Sequence, residues 1–295
     1  MVAIGDIDAG ECLFQIPRGC LLNPSTSSLQ DDVKCELMKI KSESGWVPLL
    51  ITLMYEYNNP ASKWRPYMDL VPDFKELDLP LFWTKSERDT LLKGTGLQSK
   101  VDRDLLMMTK EFKERVLPFV DKHKEIFGEV CKDFEFYKKM VAFVMAYSFT
   151  EPLKDPGEDD LVDDDLIGTS PPMMVPLADI LNHVSKNNAK LMFEKDALKM
   201  VAIKPISKAN IRGEEVYNTY GLLDNWRLLQ MYGFAEIKYC NTYCNISPSS
   251  RWVLTPIIEG IVEMPMEYLL EVAKSIPDIS DKQLLEDKWN FLIES

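Results

Sequence analysis

Segments with β character fall near the two ends of the first 236 residues, and a long helical stretch separates them. At the start, Val2-Ala3-Ile4 and Cys12-Leu13-Phe14-Gln15-Ile16-Pro17 read as two short strands joined by a turn containing Asp8-Ala9-Gly10. Far along the chain, Met174-Val175-Pro176 leads into Ala178-Asp179-Ile180-Leu181-Asn182-His183. Leu191-Met192-Phe193 and Ala197 to Ala202 then flank a Glu-Lys-Asp turn in a hairpin pattern, and Glu215 to Tyr220 reads as the last strand. Roughly 120 mainly helical residues lie between these groups. Strands at both ends with helices between them describe one β-domain carrying a helical insertion, an α+β chain rather than two units in series.

The helical part has its own punctuation. In residues 44–58 (SGWVPLLITLMYEYN) Ser44 is a candidate cap, Pro48 is tolerable in the first turn, and Asn59-Pro60 stops the helix. Thr84-Lys85-Ser86-Glu87 is a capping box. Residues 100–124 read as helix with a bend or break at Pro118. Residues 131–149 are the most apolar helix, with Phe136, Met140, Phe143 and Tyr147 at helical spacing and a deeply buried end. The loop of residues 151–174 follows, with eight acids between 151 and 165 against one lysine. It reads first as a solvated loop and second as a negative lip for a basic substrate.

Composition narrows the chemistry. The formal charge of −13 argues against direct contact with nucleic-acid phosphates and favours lysine-rich peptides. The longest apolar runs are too short to span a bilayer, and the first twenty residues lack a secretory pattern, so no membrane role is expected. Six cysteines in a chain of 295 residues do not read as a disulfide framework. Cys240 and Cys244 form a C-x3-C pair with no partner to complete a zinc site, so no metal is expected. Of two histidines, His123 sits among lysines and reads as exposed, and His183 reads as buried. There is no Gly-x-Ser-x-Gly elbow, His-Glu-x-x-His pair or phosphate loop, and Gly94-Thr95-Gly96 alone carries little weight. The distinctive chemistry left is tyrosine and backbone.

Two tyrosines stand twelve residues apart, each followed by glycine, in Asn218-Thr219-Tyr220-Gly221 and Met231-Tyr232-Gly233-Phe234. With Asn182-His183 upstream, these segments resemble the C-terminal half of SET-domain protein methyltransferases. Ser44-Gly45-Trp46-Val47-Pro48-Leu49-Leu50, Ser62-Lys63-Trp64-Arg65-Pro66-Tyr67, Leu92-Lys93-Gly94-Thr95-Gly96 and Met145-Ala146-Tyr147-Ser148-Phe149 are similar to the Rubisco large-subunit methyltransferase-like class of that family. The resemblance covers residues 1 to about 236 and is patchy up to Asp287-Lys288-Trp289-Asn290-Phe291-Leu292.

The resemblance implies a SET domain over residues 1–236: an N-terminal β part (1–40), a helical insertion with the acidic loop (41–170) and a catalytic part (171–236). A partial, divergent helical domain of substrate-binding type (237–295) would follow. It implies a protein-lysine methyltransferase using S-adenosylmethionine, with Tyr220 catalytic, Asn182, His183, Tyr147 and Tyr232 holding the cofactor, and Trp46 and Thr150 touching the substrate lysine segment. Monomethylation, a lysine-containing substrate of transcription-factor or histone type, and a nuclear location, with a cytoplasmic pool allowed, are implied with it. The chemistry suits these residue types: lysine, with a pKa near ~10.4, must lose its proton, and a desolvated channel favours that without a strong protein base.

Three departures temper the expectation. The family's Gly-x-Gly cofactor loop precedes its first strand, and Met1-Val2-Ala3 aligns with the residues just after that loop. The segment from Ile206 to Glu215 is about four residues longer than the usual turn. Residues 237–266 do not resemble the family. A truncated or alternatively spliced product, or retained intron sequence, is therefore expected, with weakened S-adenosylmethionine binding. Two alternatives stay open: a protein-histidine methyltransferase, and a non-catalytic peptide-binding module on the same fold.

Overall fold

A computed structural model describes residues 1–70, 78–152, 170–208 and 213–236. The inner part of the acidic loop (153–169), residues 209–212 of the long turn, the Cys240/Cys244 pair and the expected C-terminal unit (237–295) lie outside the described residues. No described helix is long and apolar enough to cross a membrane.

The two ends of the chain meet in one antiparallel sheet. Strand β1 (Cys12–Pro17) lies beside β5 (Ala197–Ala202), which pairs on its other edge with β4 (Ala189–Phe193). The register sets Ile16 opposite Leu198, and Leu191 opposite Met200. Alternation does the sorting: in β4, Ala189 and Leu191 are buried while Lys190 and Met192 face out. The buried set joins Leu181, Ile206 and Val216 in the core of the β part. Val2-Ala3-Ile4 does not form the expected strand. Val2 makes a single bridge to Glu215 and Ile7 another to Ile206, so the first residues brace distant segments instead of β1. Arg18, just past β1, clamps the Glu151 carboxylate at 2.6 and 2.8 Å and also donates to the Glu194 carbonyl.

The insertion forms a separate helical core that also takes in α1 (Asp31–Leu37), a helix inside the expected N-terminal β part. The other helices around this core are α2 (Val47–Asn58), α3 (Arg65–Met68), α4 (Lys85–Leu91), α5 (Leu97–Glu111), α6 (Leu117–Lys122) and α7 (Phe134–Tyr147). Helix α2 and the last two turns of α7 are apolar on nearly every side and become its centre: Leu50, Leu53, Met54, Met140, Phe143 and Val144 are all essentially inaccessible. Each large apolar side chain buried this way stabilises by about 1.5–3 kcal/mol. Two polar residues of α2 are fully buried: Thr52, whose hydroxyl donates to the Pro48 carbonyl, and Glu56, whose carboxylate accepts from the Ser28 amide and the Ser62 hydroxyl. Strand β2 (Ser148–Phe149) continues directly from α7 and pairs with β3 (Met173–Met174), tying the helical core to the β part.

Local signals hold in part. Thr84 and Glu87 make the reciprocal capping box. Ser44, in contrast, does not cap α2. Its hydroxyl and amide both donate to the Glu111 carboxylate of α5, and the hydroxyl accepts from the Trp46 amide, a tertiary use of a residue suited to capping. Where a bend or break is expected at Pro118, wider π turns run over Phe112–Val116, with Pro118 in the first turn of α6. The helix runs on without a break, and the Leu117 amide already reaches back five residues to the Phe112 carbonyl, so Pro118, which has no amide to donate, sits just past the widened turn. His123 is not exposed: its ring packs on Phe119, and Nε2 lies 3.1 Å from Glu36 Oε2.

Candidate active site

Residues 213–221 carry no regular strand. Their backbone pairs in turn with Met1–Ala3, Asn188–Ala189 and Asn182–Val184, and side chains fill the steps between, so the expected strand Glu215–Tyr220 is broken into isolated bridges. Asn188 Oδ1 accepts from the Tyr217 amide and its Nδ2 donates to the Glu215 carbonyl, both at 2.8 Å. His183 and Asn218 share a single parallel bridge, with the Asn218 amide donating to the Asn182 carbonyl at 2.9 Å. At the next step the His183 ring replaces a backbone acceptor, its Nδ1 taking the Tyr220 amide at 3.0 Å. Gly221 (φ 112°) then lets the chain turn away at an angle that a Cβ resists. Helix α8 (Asn225–Tyr232) follows and ends on Gly233 (φ 78°), with Tyr232 as its last residue.

This route stacks three rings. Tyr220 lies face to face with His183 at 5.1 Å and against Tyr232 at 4.6 Å. Tyr220 and Tyr232 line a cavity of about 400 Å³, together with Trp46 from the start of α2, Tyr147 from the end of α7, Thr150 after β2, and Asp179. That volume is in the range of small-molecule pockets. Five of the residues singled out in the sequence therefore converge: Tyr220, Tyr232, Tyr147, Trp46 and Thr150. The other two do not line the cavity. His183 is buried behind Tyr220, and Asn182 is exposed, its amide donating to Glu215 Oε1 at 2.7 Å.

The electrostatics make this a site of neutral donors. Burial, with smaller contributions from Tyr147 and Asp179, pushes the Tyr220 hydroxyl up to about 12, so it remains a phenol at neutral pH. It donates to the Leu181 carbonyl at 2.9 Å, which leaves its oxygen lone pairs for another group. Burial likewise raises Tyr147 and Tyr232. His183 is pushed below its ordinary value by burial, against a smaller opposing pull from Glu236. Because Nδ1 accepts, the neutral ring carries its proton on Nε2, which lies 3.9 Å from Glu236 Oε2, beyond hydrogen-bond reach. His183 is thus a positioning residue for the Tyr220 backbone and not a base in the cavity.

Asp179 and Tyr67 are the functional candidates that sequence reasoning passed over. The Tyr67 hydroxyl donates to Asp179 Oδ2 at 2.6 Å. Burial raises the Asp179 carboxyl to about 6, with the Tyr67 hydroxyl and the amides of Asp179 and Leu177 holding it back from a larger rise. Leu177 takes φ 81°, a left-handed backbone that is costly for leucine, immediately before the turn carrying Asp179. Asp179 stood in the same short stretch as Asn182-His183, but nothing in its spacing reveals a partner 112 residues earlier. The cavity therefore offers aromatic walls, neutral hydroxyls, the Asp179 carboxylate and, from the exposed face of β4, the Lys190 side chain, an arrangement able to hold and orient an amine.

The SET domain family matches residues 1–221. Among curated relatives, the N-lysine methyltransferase setd6 of Salmo salar is 43% identical over 295 residues, covering 100% of this chain and 60% of the relative. That of Danio rerio is 45% identical over 300 residues (100% and 59%), and SETD6 of Homo sapiens is 38% identical over 293 residues (99% and 56%). The chain thus spans less than two thirds of their length. Of solved structures, the SET domain of LSMT bound to lysine and AdoHcy is similar with a TM-score of 0.58 at 20% identity, over 80% of this chain and 50% of that one. Rubisco LSMT bound to AdoMet gives a TM-score of 0.57 at 21% identity, over 80% and 49%. These two likenesses concern the fold.

Proposed function

Because this chain belongs to the SET-domain family, we propose that it transfers a methyl group from S-adenosylmethionine to the side-chain amine of a lysine in a protein substrate. The observation that carries the reading is the convergence of Tyr220, Tyr232, Tyr147 and Asp179 on one aromatic cavity with a neutral phenol at its centre.

The side chains divide the work. Asp179, ionised above about pH 6, attracts the incoming ammonium group. The walls of Trp46, Tyr147 and Tyr232 strip water from it, and desolvation lowers an ammonium pKa against the opposing pull of the Asp179 carboxylate; with desolvation the larger effect, the proton leaves to solvent and a neutral amine remains. Tyr220, donating to Leu181, has lone pairs free to accept an amine N–H or a polarised C–H. Holding reactants in line can contribute about 7–11 kcal/mol, so no strong base is required.

The cofactor's part is brief: when bound, S-adenosylmethionine supplies a methyl group made electrophilic by a sulfonium sulfur. Tyr147 and Tyr232 line a cavity of suitable size and would hold it there, with Asn182 and His183 on the adjoining segment. The finer parts of the reading are monomethylation, a substrate of transcription-factor or histone type, and residence in the nucleus. The net charge of −13 favours lysine-rich substrates of this kind.

The test is transfer of labelled methyl from S-adenosylmethionine to lysine peptides. In Tyr220→Phe, loss of the hydroxyl lowers kcat by about 10²–10³ with peptide binding kept. Equal rates for variant and wild type would remove Tyr220 from the chemistry and refute the mechanism.

A further inference from the structure

A second cavity, of about 360 Å³, adjoins the first. Trp46, Met145, Leu223 and Met231 line both, so the two spaces share one wall between α2, α7 and α8. The second extends toward α5, where Met107 and Met108 face it, and toward Trp226.

Apart from Tyr137 its polar groups are already engaged, the Arg227 guanidinium against the Trp226 ring and the others with one another. Gln230 donates to Asp104, and Ser44 donates to both oxygens of Glu111 at 2.9 and 2.7 Å. What remains is a thioether and aromatic interior, together with the Tyr137 hydroxyl, which is buried with no hydrogen-bond partner. Methionine side chains re-pack readily around apolar groups of different shape. An uncharged apolar guest finds four thioethers and two indoles, those of Trp46 and Trp226.

Resting on the function proposed above, we propose that this second cavity is a specificity subsite. It receives a large apolar side chain of the substrate, one or two residues from the target lysine, and so selects lysines flanked by leucine, methionine or phenylalanine. The shared wall is the reason to assign it to the same peptide: consecutive residues of an extended chain advance only ~3.3 Å each, so a lysine seated in the first cavity carries its neighbours to that wall.

The test uses peptides with one lysine and leucine or alanine at each of the two positions on either side. At one of these positions, alanine lowers kcat/KM by at least about tenfold for the wild type. Val141→Phe fills the cavity from α7 and Met107→Trp fills it from its half-exposed edge, so one serves if the other fails to fold. Both variants remove most of the discrimination by raising KM for the leucine peptide, and leave kcat on the alanine peptide within about twofold. Discrimination unchanged by either variant, or no dependence on flanking residues, overturns the proposal. If no peptide is methylated, tryptophan fluorescence reads binding directly. A leucine preference lost in the variants then keeps the subsite while the catalytic reading fails, and its absence overturns the subsite as well. Alkylation of Met107→Cys, followed by mass spectrometry, is expected to be fast in the free full-length chain and slowed by the leucine peptide. Slow labelling without peptide would mean that the chain itself, or a second copy, fills the cavity, and would overturn the proposal.

Discussion

Asp179 ties stability to pH in a direction opposite to most carboxylates. Burial lifts it from 3.8 to about 6, so the folded protein binds this proton more tightly than the unfolded chain. Stability from this group is intact below about pH 4, falls as pH rises toward 6, and stays reduced above that. At ~1.36 kcal/mol per pH unit, the gap corresponds to about 3 kcal/mol at neutral and alkaline pH. Asp179→Asn removes the ionisation and keeps an oxygen to accept from Tyr67. The variant is therefore expected to be more stable than wild type by about 1 kcal/mol at pH 4.5 and about 3 kcal/mol at pH 8, a widening of about 2 kcal/mol. Thermal unfolding of both proteins across this range reads it as a Tm difference growing by roughly 4–8 °C. Taking the difference cancels every other titrating group. A gap constant from pH 4.5 to 8 would show that Asp179 ionises normally, and the desolvated site inferred from it would go as well.

Three further substitutions probe the frame around the site. Tyr137→Phe deletes a buried hydroxyl that has no partner and should stabilise the protein by about 1 kcal/mol in denaturant unfolding; a loss of similar size would show that the hydroxyl is bonded in solution. Gly213→Ala puts a Cβ 2.0 Å from the Ala3 carbonyl oxygen at φ +68°, so Tm should fall by roughly 3 °C or more, and an unchanged Tm would refute the bracing of residues 213–216 by the N-terminal segment. Glu56→Ala strands the Ser28 amide and the Ser62 hydroxyl in the helical core and should cost about 2–4 kcal/mol, whereas a cost under about 1 kcal/mol would mean that water reaches both groups.

Much of the frame was legible in the chain itself, because periodicity and turn chemistry act over a few residues. The apolar run of α7, the Thr84 capping box and the Ala197–Ala202 hairpin each declare themselves within one segment. Tyr220 and Tyr232 stood out in the chain for a similar reason, since each precedes a glycine of positive φ, one where the chain turns away and one where α8 ends. What folding alone decided are pairs that no spacing encodes: Ser44 turned toward Glu111, Tyr67 brought to Asp179, and the His183 ring standing in for a strand neighbour of Tyr220. A hydroxyl or imidazole can satisfy a local or a distant partner equally well by its own chemistry. Only the packing of α2, α5 and α7 against the β part chose between them, and that choice set the protonation state of the cavity.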